Sequence, residues 1–173
     1  MPDQVTFSLG LSRIPFYDSM KKNMNIYMAE ALKEAEQAAL MGEVPIGAVI
    51  VRDGEIIARA HNLTETTPDP TAHAEINALR QASALLGGRR LIGCEMYVTL
   101  EPCPMCAGAL VWSRIDKLYI GAEDPKAGAC GSVMNIVENP RLNHRIQVVR
   151  GLEKEECARI LRDFFKRLRE ENR

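Results

Sequence analysis

The chain has 173 residues, enough for one compact domain that buries about 70% of the surface its unfolded form exposes, so it can fold without disulfide staples. With 46% hydrophobic and 26% charged residues the composition is that of an ordinary globular protein. Lys+Arg 22 against Asp+Glu 23 leaves a formal net charge of -1, which excludes binding of polyanions by bulk charge; a nucleic-acid partner would have to be met by a local patch.

Residues 1–24 read as an N-terminal extension, either disordered or a short ordered arm, with Met20 or Met24 as an alternative start. They lack the continuous apolar core of a signal peptide, and no run in the chain approaches the ~18 apolar residues of a membrane span. A single domain is expected over 25–173. Within it Met28, Leu32, Ala35 and Ala39 recur at helical spacing until Gly42. Pro45 to Val51 and Glu55 to Ala60 read as two strands joined at Asp53-Gly54 in a hairpin. Asp69-Pro70-Thr71 signals a helix start, and Ile76, Leu79, Ala82 and Leu86 mark one face of the helix that follows. Met96 to Leu100 is a strand, Pro102 opens a short helix through about Trp112, and Lys117 to Ile120 and Arg145 to Val149 are further strands. Glu153 to Glu171 closes the chain as a helix. Helices interspersed among strands in this order imply a three-layer α/β/α domain around a mixed sheet of about five strands.

Two short segments carry chemistry: His73-Ala74-Glu75 and Pro102-Cys103-Pro104-Met105-Cys106, each at the beginning of an expected helix. Cys103 and Cys106 are three apart, so on a first helical turn their sulfurs share a face, and a helix N-terminus favours the ligating thiolate. With His73 they make a His/Cys/Cys set suited to Zn2+, whose fourth tetrahedral position is left for water, as in catalytic sites. Mid-helix, residues two apart point away from each other. His73 and Glu75 can therefore meet only where the helix begins and the backbone is still turn-like. A carboxylate beside an activated water, but not on the metal, is placed to move that water's proton.

Two plainer readings compete. A redox C-x-x-C pair is argued against by Pro104 and Met105 between the cysteines and by the separate H-x-E. A purely structural zinc site needs a fourth ligand, from Cys94, Cys130, His61 or His144, and leaves Glu75 without a role. The five cysteines are an odd count without an export signal, which favours reduced thiols and a cytoplasmic protein; Cys94, Cys130 and Cys157 read as small core residues. Trp112 and the methionines are expected in the interior.

H-A-E followed after about thirty residues by P-C-x-x-C is the signature of zinc-dependent nucleobase deaminases. The segments GEVPIGAVIV (42–51), DPTAHAEI (69–76), YVTLEPCPMCAGA (97–109), LYIGAEDPKAGACGS (118–132) and LNHR (142–145) resemble the bacterial tRNA-specific adenosine deaminases, from about Asn25 onward. The resemblance implies a cytidine deaminase-like fold, one zinc per subunit on His73, Cys103 and Cys106, and hydrolysis of adenosine to inosine at the wobble position of a tRNA anticodon. It implies that Glu75 shuttles protons while activated water attacks carbon 6 of the adenine. Asn62 matches an asparagine that hydrogen-bonds the base, although an asparagine there could instead cap the strand end. Val44 and Pro45 would form an apolar wall for the flipped base, and Asp124 would lie near the sugar of the target nucleotide. Asn143 and His144 are weaker candidates for RNA contact. The partners implied are a tRNA anticodon stem-loop and a second copy of the chain in a homodimer.

On the last helix Cys157, Ile160, Leu161, Phe164, Phe165 and Leu168 form the expected buried face. Arg162, Lys166, Arg169 and Arg173 fall at steps of four, three and four as a basic stripe. Between Arg159 and Arg173 six basic residues against three acids leave a local charge of +3, able to follow a phosphate backbone. A solvated helix face with acid-base pairs is the ordinary alternative. Two other functions fit the motifs: a deaminase of a free base or nucleotide (guanine, cytosine or deoxycytidylate), and a non-catalytic zinc-stabilised RNA-binding module.

Overall fold

A computed structural model describes residues 15–171, with side chains from Asn25 onward. It orders α1 (Pro15–Leu40), β1 (Gly47–Arg52), β2 (Glu55–His61), α2 (Ala74–Leu86), β3 (Cys94–Leu100), α3 (Pro104–Ser113), β4 (Lys117–Ala122), β5 (Gln147–Arg150) and α4 (Lys154–Glu171). The sequence of elements is the expected one. Helix α1 starts at Pro15, inside the segment read as an extension; proline suits a first helical position because its missing N–H would be unpaired there anyway. Residues 1–14, and Arg173 of the basic stripe, lie outside the described residues.

The five strands run in the spatial order β2-β1-β3-β4-β5. β1 is antiparallel to both β2 and β3, whereas β3, β4 and β5 are mutually parallel, so the sheet is mixed. Side chains alternate across it with the period of two that a strand imposes. Ile50, Met96, Val98, Leu118 and Ile120 face α2 and α3, packing with Ala78, Ala82 and Leu110. Val49, Val51, Tyr97 and Tyr119 face α1 and α4, packing with Met28, Ala31 and Cys157. The Tyr97 and Tyr119 rings stack at 4.2 Å. Small residues let α1 lie close on the sheet: a side chain at Gly47 would overlap the Ala31 carbonyl and come within 2.6 Å of the Ala35 nitrogen. Cys94, Cys130 and Cys157 are buried, as expected.

Three expectations about burial need correction. Trp112 lies on the outward side of α3 and is 67% exposed, because nothing among the described residues covers that side. Met28 and Met96 are in the core, but Met41, Met105 and Met134 are exposed. On α4 only Cys157 is fully buried; Ile160, Leu161 and Phe164 are half-buried, and Phe165 and Leu168 are exposed. The first turns of α4 pack on the sheet. The later turns leave it, so the apolar face there meets a groove instead of a core.

Among the described residues no helix is long and apolar enough to cross a membrane. The parallel strands β3 and β4 end at one edge of the sheet, at Leu100 and Ala122, which pair in register. In open α/β sheets that edge is where sites are built.

Candidate active site

The Asp69 signal builds a turn ahead of the helix. Its Oδ1 accepts from the Thr71 backbone N–H at 2.8 Å and from the Thr71 hydroxyl at 2.7 Å. The helix itself starts at Ala74, with His73 as its N-cap in extended conformation (φ -70, ψ 154). Glu75 is then the second helical residue. One member of the H-x-E pair is outside the helix and the other inside, so both side chains can turn to the same place. The second segment repeats this design. Cys103 is the extended N-cap of α3 (φ -71, ψ 172), Pro104 opens the helix, and Cys106 lies in its first turn.

The structure brings the two helix starts together. His73 Nδ1 lies 3.7 Å from Cys103 Sγ and 3.5 Å from Cys106 Sγ, and the three atoms are all within 4.8 Å of one another. A tetrahedral ion with nitrogen and sulfur ligands at ordinary lengths holds them about 3.6 Å apart, so both His73–Cys separations match such an ion. Among the described residues no fourth His, Cys, Asp or Glu joins the cluster. His61 is occupied with Glu34 (2.6 Å), His144 with the Ile115 carbonyl (2.7 Å), and Cys94 and Cys130 are buried in the core. Cys106 is buried while His73 and Cys103 are partly open, so the cluster has a solvent side.

The electrostatics suit metal binding. The Cys103 thiol, hydrogen-bonded to Cys106 and to His73, is pulled down to about 4, while the same interaction and burial push Cys106 up. One thiolate is thus present before an ion arrives, and a cation releases the second proton. Glu75 is 3% exposed, and burial pushes its carboxyl up to about 7. Its Oε2 is the one buried side-chain polar atom without a hydrogen-bond partner among the described residues. An orphaned buried carboxylate oxygen beside a ligand cluster marks a place for a group the protein does not itself supply.

Asn62 stands at the end of β2, 4% exposed, and its Oδ1 accepts from the Ala74 backbone N–H at 3.0 Å, between His73 and Glu75. Val44 lines a groove of about 1010 Å³ with Leu100, Asp124, Lys126, Phe165 and the basic side chains Arg162, Lys166 and Arg169. Pro45 is buried beneath. Asp124 caps its own turn, Oδ1 accepting from the Lys126 and Ala127 N–H groups. Arg159, by contrast, is paired with Glu156 and Asp163, and Arg167 faces a second groove against α1. The positive charge of the groove is therefore carried by Arg162, Lys166 and Arg169 with Lys126, against Glu123, Asp124 and Asp163 on the same lining. Asn143 and His144 are not brought to the cluster. They bond Arg114 and Ile115 just beyond the far end of α3, a helix length or ~15 Å from Cys103.

Two buried acids were missed in the sequence. Glu43, fully buried, gathers the Glu65 and Thr66 N–H groups and the Thr64 hydroxyl, and so shapes the loop leading to His73. Glu101, 4% exposed, gathers N–H groups of the Gly-rich loop after β4. The only available signal was an acid placed directly against an apolar strand, Val98-Thr99-Leu100-Glu101, where a solvated residue would not be expected.

Residues 22–169 match the family model of MafB19-like deaminases. A tRNA-specific adenosine deaminase of Bacillus subtilis is 53% identical over 148 residues, 86% of this chain and 92% of its own length. The enzyme of the same name from Aquifex aeolicus is 50% identical over 143 residues, 83% of this chain and 94% of its own. Among solved structures, one from work on A-to-I editing by tRNA:A34 deaminases at the wobble position of transfer RNA superposes with a TM-score of 0.76 at 49% identity, covering 79% of this chain and 99% of that one. A guanine deaminase from Bacillus subtilis superposes less well, with a TM-score of 0.56 at 35% identity over 70% of this chain and 81% of that one.

Proposed function

Because the chain belongs to the tRNA-specific adenosine deaminases, within the MafB19-like deaminase family, we propose that it hydrolyses adenosine to inosine at the wobble position of tRNA anticodons. The observation that carries the chemistry is the buried Glu75 carboxylate, its Oε2 without a partner, beside the His73, Cys103 and Cys106 donors.

Those three residues would hold one zinc ion per chain; when bound, it supplies a Lewis acid that brings the ionisation of water near neutrality. Glu75 does the proton work. It takes a proton from the attacking water and delivers it to ring nitrogen 1 of the adenine, then takes the remaining proton of the new carbon-6 hydroxyl and passes it to the departing amino group. Water is consumed and ammonia leaves. Burial raises this carboxyl in the metal-free chain, and a cation on the neighbouring ligands would favour its ionised, proton-accepting form. Asn62 has its oxygen engaged by Ala74, so it offers its NH2 to an acceptor on the base. Val44 and the underlying Pro45 supply the apolar wall. Asp124 stands at the mouth near the sugar. Arg162, Lys166 and Arg169 meet phosphates along the groove, and the exposed Phe165 offers a ring for an unstacked neighbouring base. Asn143 and His144 are left with the structural bonds described above.

A homodimer belongs to the same reading. The exposed Trp112, with Ile76, Leu79 and Ala109, lines a shallow cavity of about 440 Å³ between α2 and α3, an apolar face that a second copy would cover. Sedimentation velocity at micromolar concentration is expected to give twice the chain mass, and Trp112→Glu the chain mass.

The free-base reading draws on the guanine deaminase likeness, and leaves the basic side chains of the groove without a task. Zinc-loaded protein offered an anticodon stem-loop with adenosine at the wobble position, and separately guanine, cytosine and deoxycytidylate, distinguishes the two by ammonia release. Release from the stem-loop alone is expected. Release from a free base or nucleotide alone overturns the assignment, and tight RNA binding without any release would mean a non-catalytic module.

A further inference from the structure

Glu101 lies two residues before the ligand Cys103, yet none of its hydrogen bonds goes to the ligand segment. Its Oε1 accepts from the Cys130 and Ser132 N–H groups, each at 3.0 Å. Its Oε2 accepts from the Asp124 N–H at 3.0 Å and from the Ser132 hydroxyl. All four donors belong to the loop 124–132, which carries Asp124 and Lys126 to the substrate groove. The neighbouring main chain adds one more tie, from the Ala129 N–H to the Pro102 carbonyl at 2.8 Å. The fit leaves no slack: a side chain at Gly128 would overlap the Glu101 carboxylate and lie 2.6 Å from the Asp124 carbonyl. A carboxylate taken out of water is stable only when its lone pairs are filled, and here the loop fills them.

From this geometry we propose that Glu101 is a positioning residue for the substrate, locking the groove wall at 124–132 to the strand end that leads into the metal ligands. Its consequence for turnover rests on the deaminase reading above; the lock itself does not. The side-chain ties between the wall and the strand leading into the ligand cluster then all run through Glu101, beside the one main-chain tie from Ala129 to Pro102. A glutamine of the same shape cannot replace it. Its oxygen can accept from Cys130 and Ser132, its NH2 can donate to the Ser132 hydroxyl, and the Asp124 N–H is left facing a donor.

The test uses the zinc-loaded full chain as wild type, Glu101→Gln, Gly128→Ala and Ser132→Ala. Amide hydrogen exchange is expected to speed up about tenfold at Asp124 in Glu101→Gln, and across 124–132 in Gly128→Ala. Amides of β1 and α2 are expected to stay within about twofold, with zinc still one per chain by elemental analysis. With the wobble stem-loop, KM is expected to rise about tenfold and kcat to change less than threefold, since the groove wall and not the reacting centre is displaced. Ser132→Ala removes a single donor and gives a smaller change of the same pattern, so the comparison stands even where a stronger variant fails to fold. Unchanged loop exchange in the folded variants overturns the proposal. So does zinc loss in proportion to lost activity, or a fall in kcat at constant KM. If the wild type does not turn over the stem-loop, the deaminase reading fails while the exchange measurement still decides the role of Glu101.

Discussion

The carboxamide oxygen of Asn62 accepts a 3.0 Å hydrogen bond from the backbone N–H of Ala74, the residue between His73 and Glu75. One side chain thus pins the end of β2 to the helix start that presents both the ligand and the proton carrier, and leaves its NH2 for a substrate. The two jobs can be separated. Asn62→Ala strands a buried N–H and is expected to cost about 1–3 kcal/mol in denaturant unfolding. Asn62→Asp keeps the acceptor but buries a carboxylate at a 4% exposed position, so it is expected to recover only part of that stability. Both variants lose the donor to the base, so both are expected to lower kcat/KM by about a hundredfold in single-turnover assays, equivalent to about 2.7 kcal/mol. An Asn62→Asp enzyme with wild-type kcat/KM would remove Asn62 from base recognition.

Glu75 gives the metal-free protein a pH dependence of known sign. Its carboxyl is raised from 4.5 to about 7 by burial, so between those values the folded chain holds a proton that the unfolded chain has released. Stability attributable to this group is full below about pH 4.5 and is lost as pH rises toward 7. Glu75→Gln does not titrate. Metal-free Glu75→Gln is therefore expected to unfold at a higher temperature than metal-free wild type at pH 7.5, by several degrees for a gain of about 1–3 kcal/mol, with the gap closing near pH 4.5. Parallel melting curves across that range would contradict the assignment of a strained, buried acid.

The net charge of -1 conceals a segregation that the structure refines. Among the six basic residues between Arg159 and Arg173 the spacing singled out Arg162, Lys166, Arg169 and Arg173 as the stripe; of the others, Arg159 is paired with Glu156 and Asp163, and Arg167 faces α1. Arg162, Lys166 and Arg169 remain on the groove. Replacing those three by alanine is expected to lower the slope of log affinity against log salt by about 2, given roughly 0.7 per phosphate contact on single-stranded RNA. Arg159→Ala should leave the slope unchanged. Fluorescence anisotropy of a labelled stem-loop across a salt series measures both.

All nine elements, their order and the His73/Cys103/Cys106/Glu75 constellation were legible because they depend on local signals: periodicity, turn residues and ligand spacing. What the sequence hid depends on what covers what. Phe165 and Trp112 have core chemistry and helical spacing, but one stands over a groove where α4 has left the sheet and the other on an uncovered flank. The Asp69 signal pointed to a helix and instead formed the turn that keeps His73 outside it. Glu43 and Glu101 were invisible for a related reason. Their partners are chiefly backbone N–H groups 22 to 31 residues away, which no local pattern reports.

The proton-carrying role of the buried Glu75 beside the His73, Cys103 and Cys106 donors is the step on which the proposed deamination turns. It is tested most directly by following inosine in an anticodon stem-loop with adenosine at the wobble position, using wild type and Glu75→Ala, each with zinc content measured on the same sample. The expected result is inosine and ammonia in equal amounts from wild type, and a rate at least about a thousandfold lower from Glu75→Ala at undiminished zinc. Inosine formation by zinc-loaded Glu75→Ala at a rate near that of wild type would contradict it.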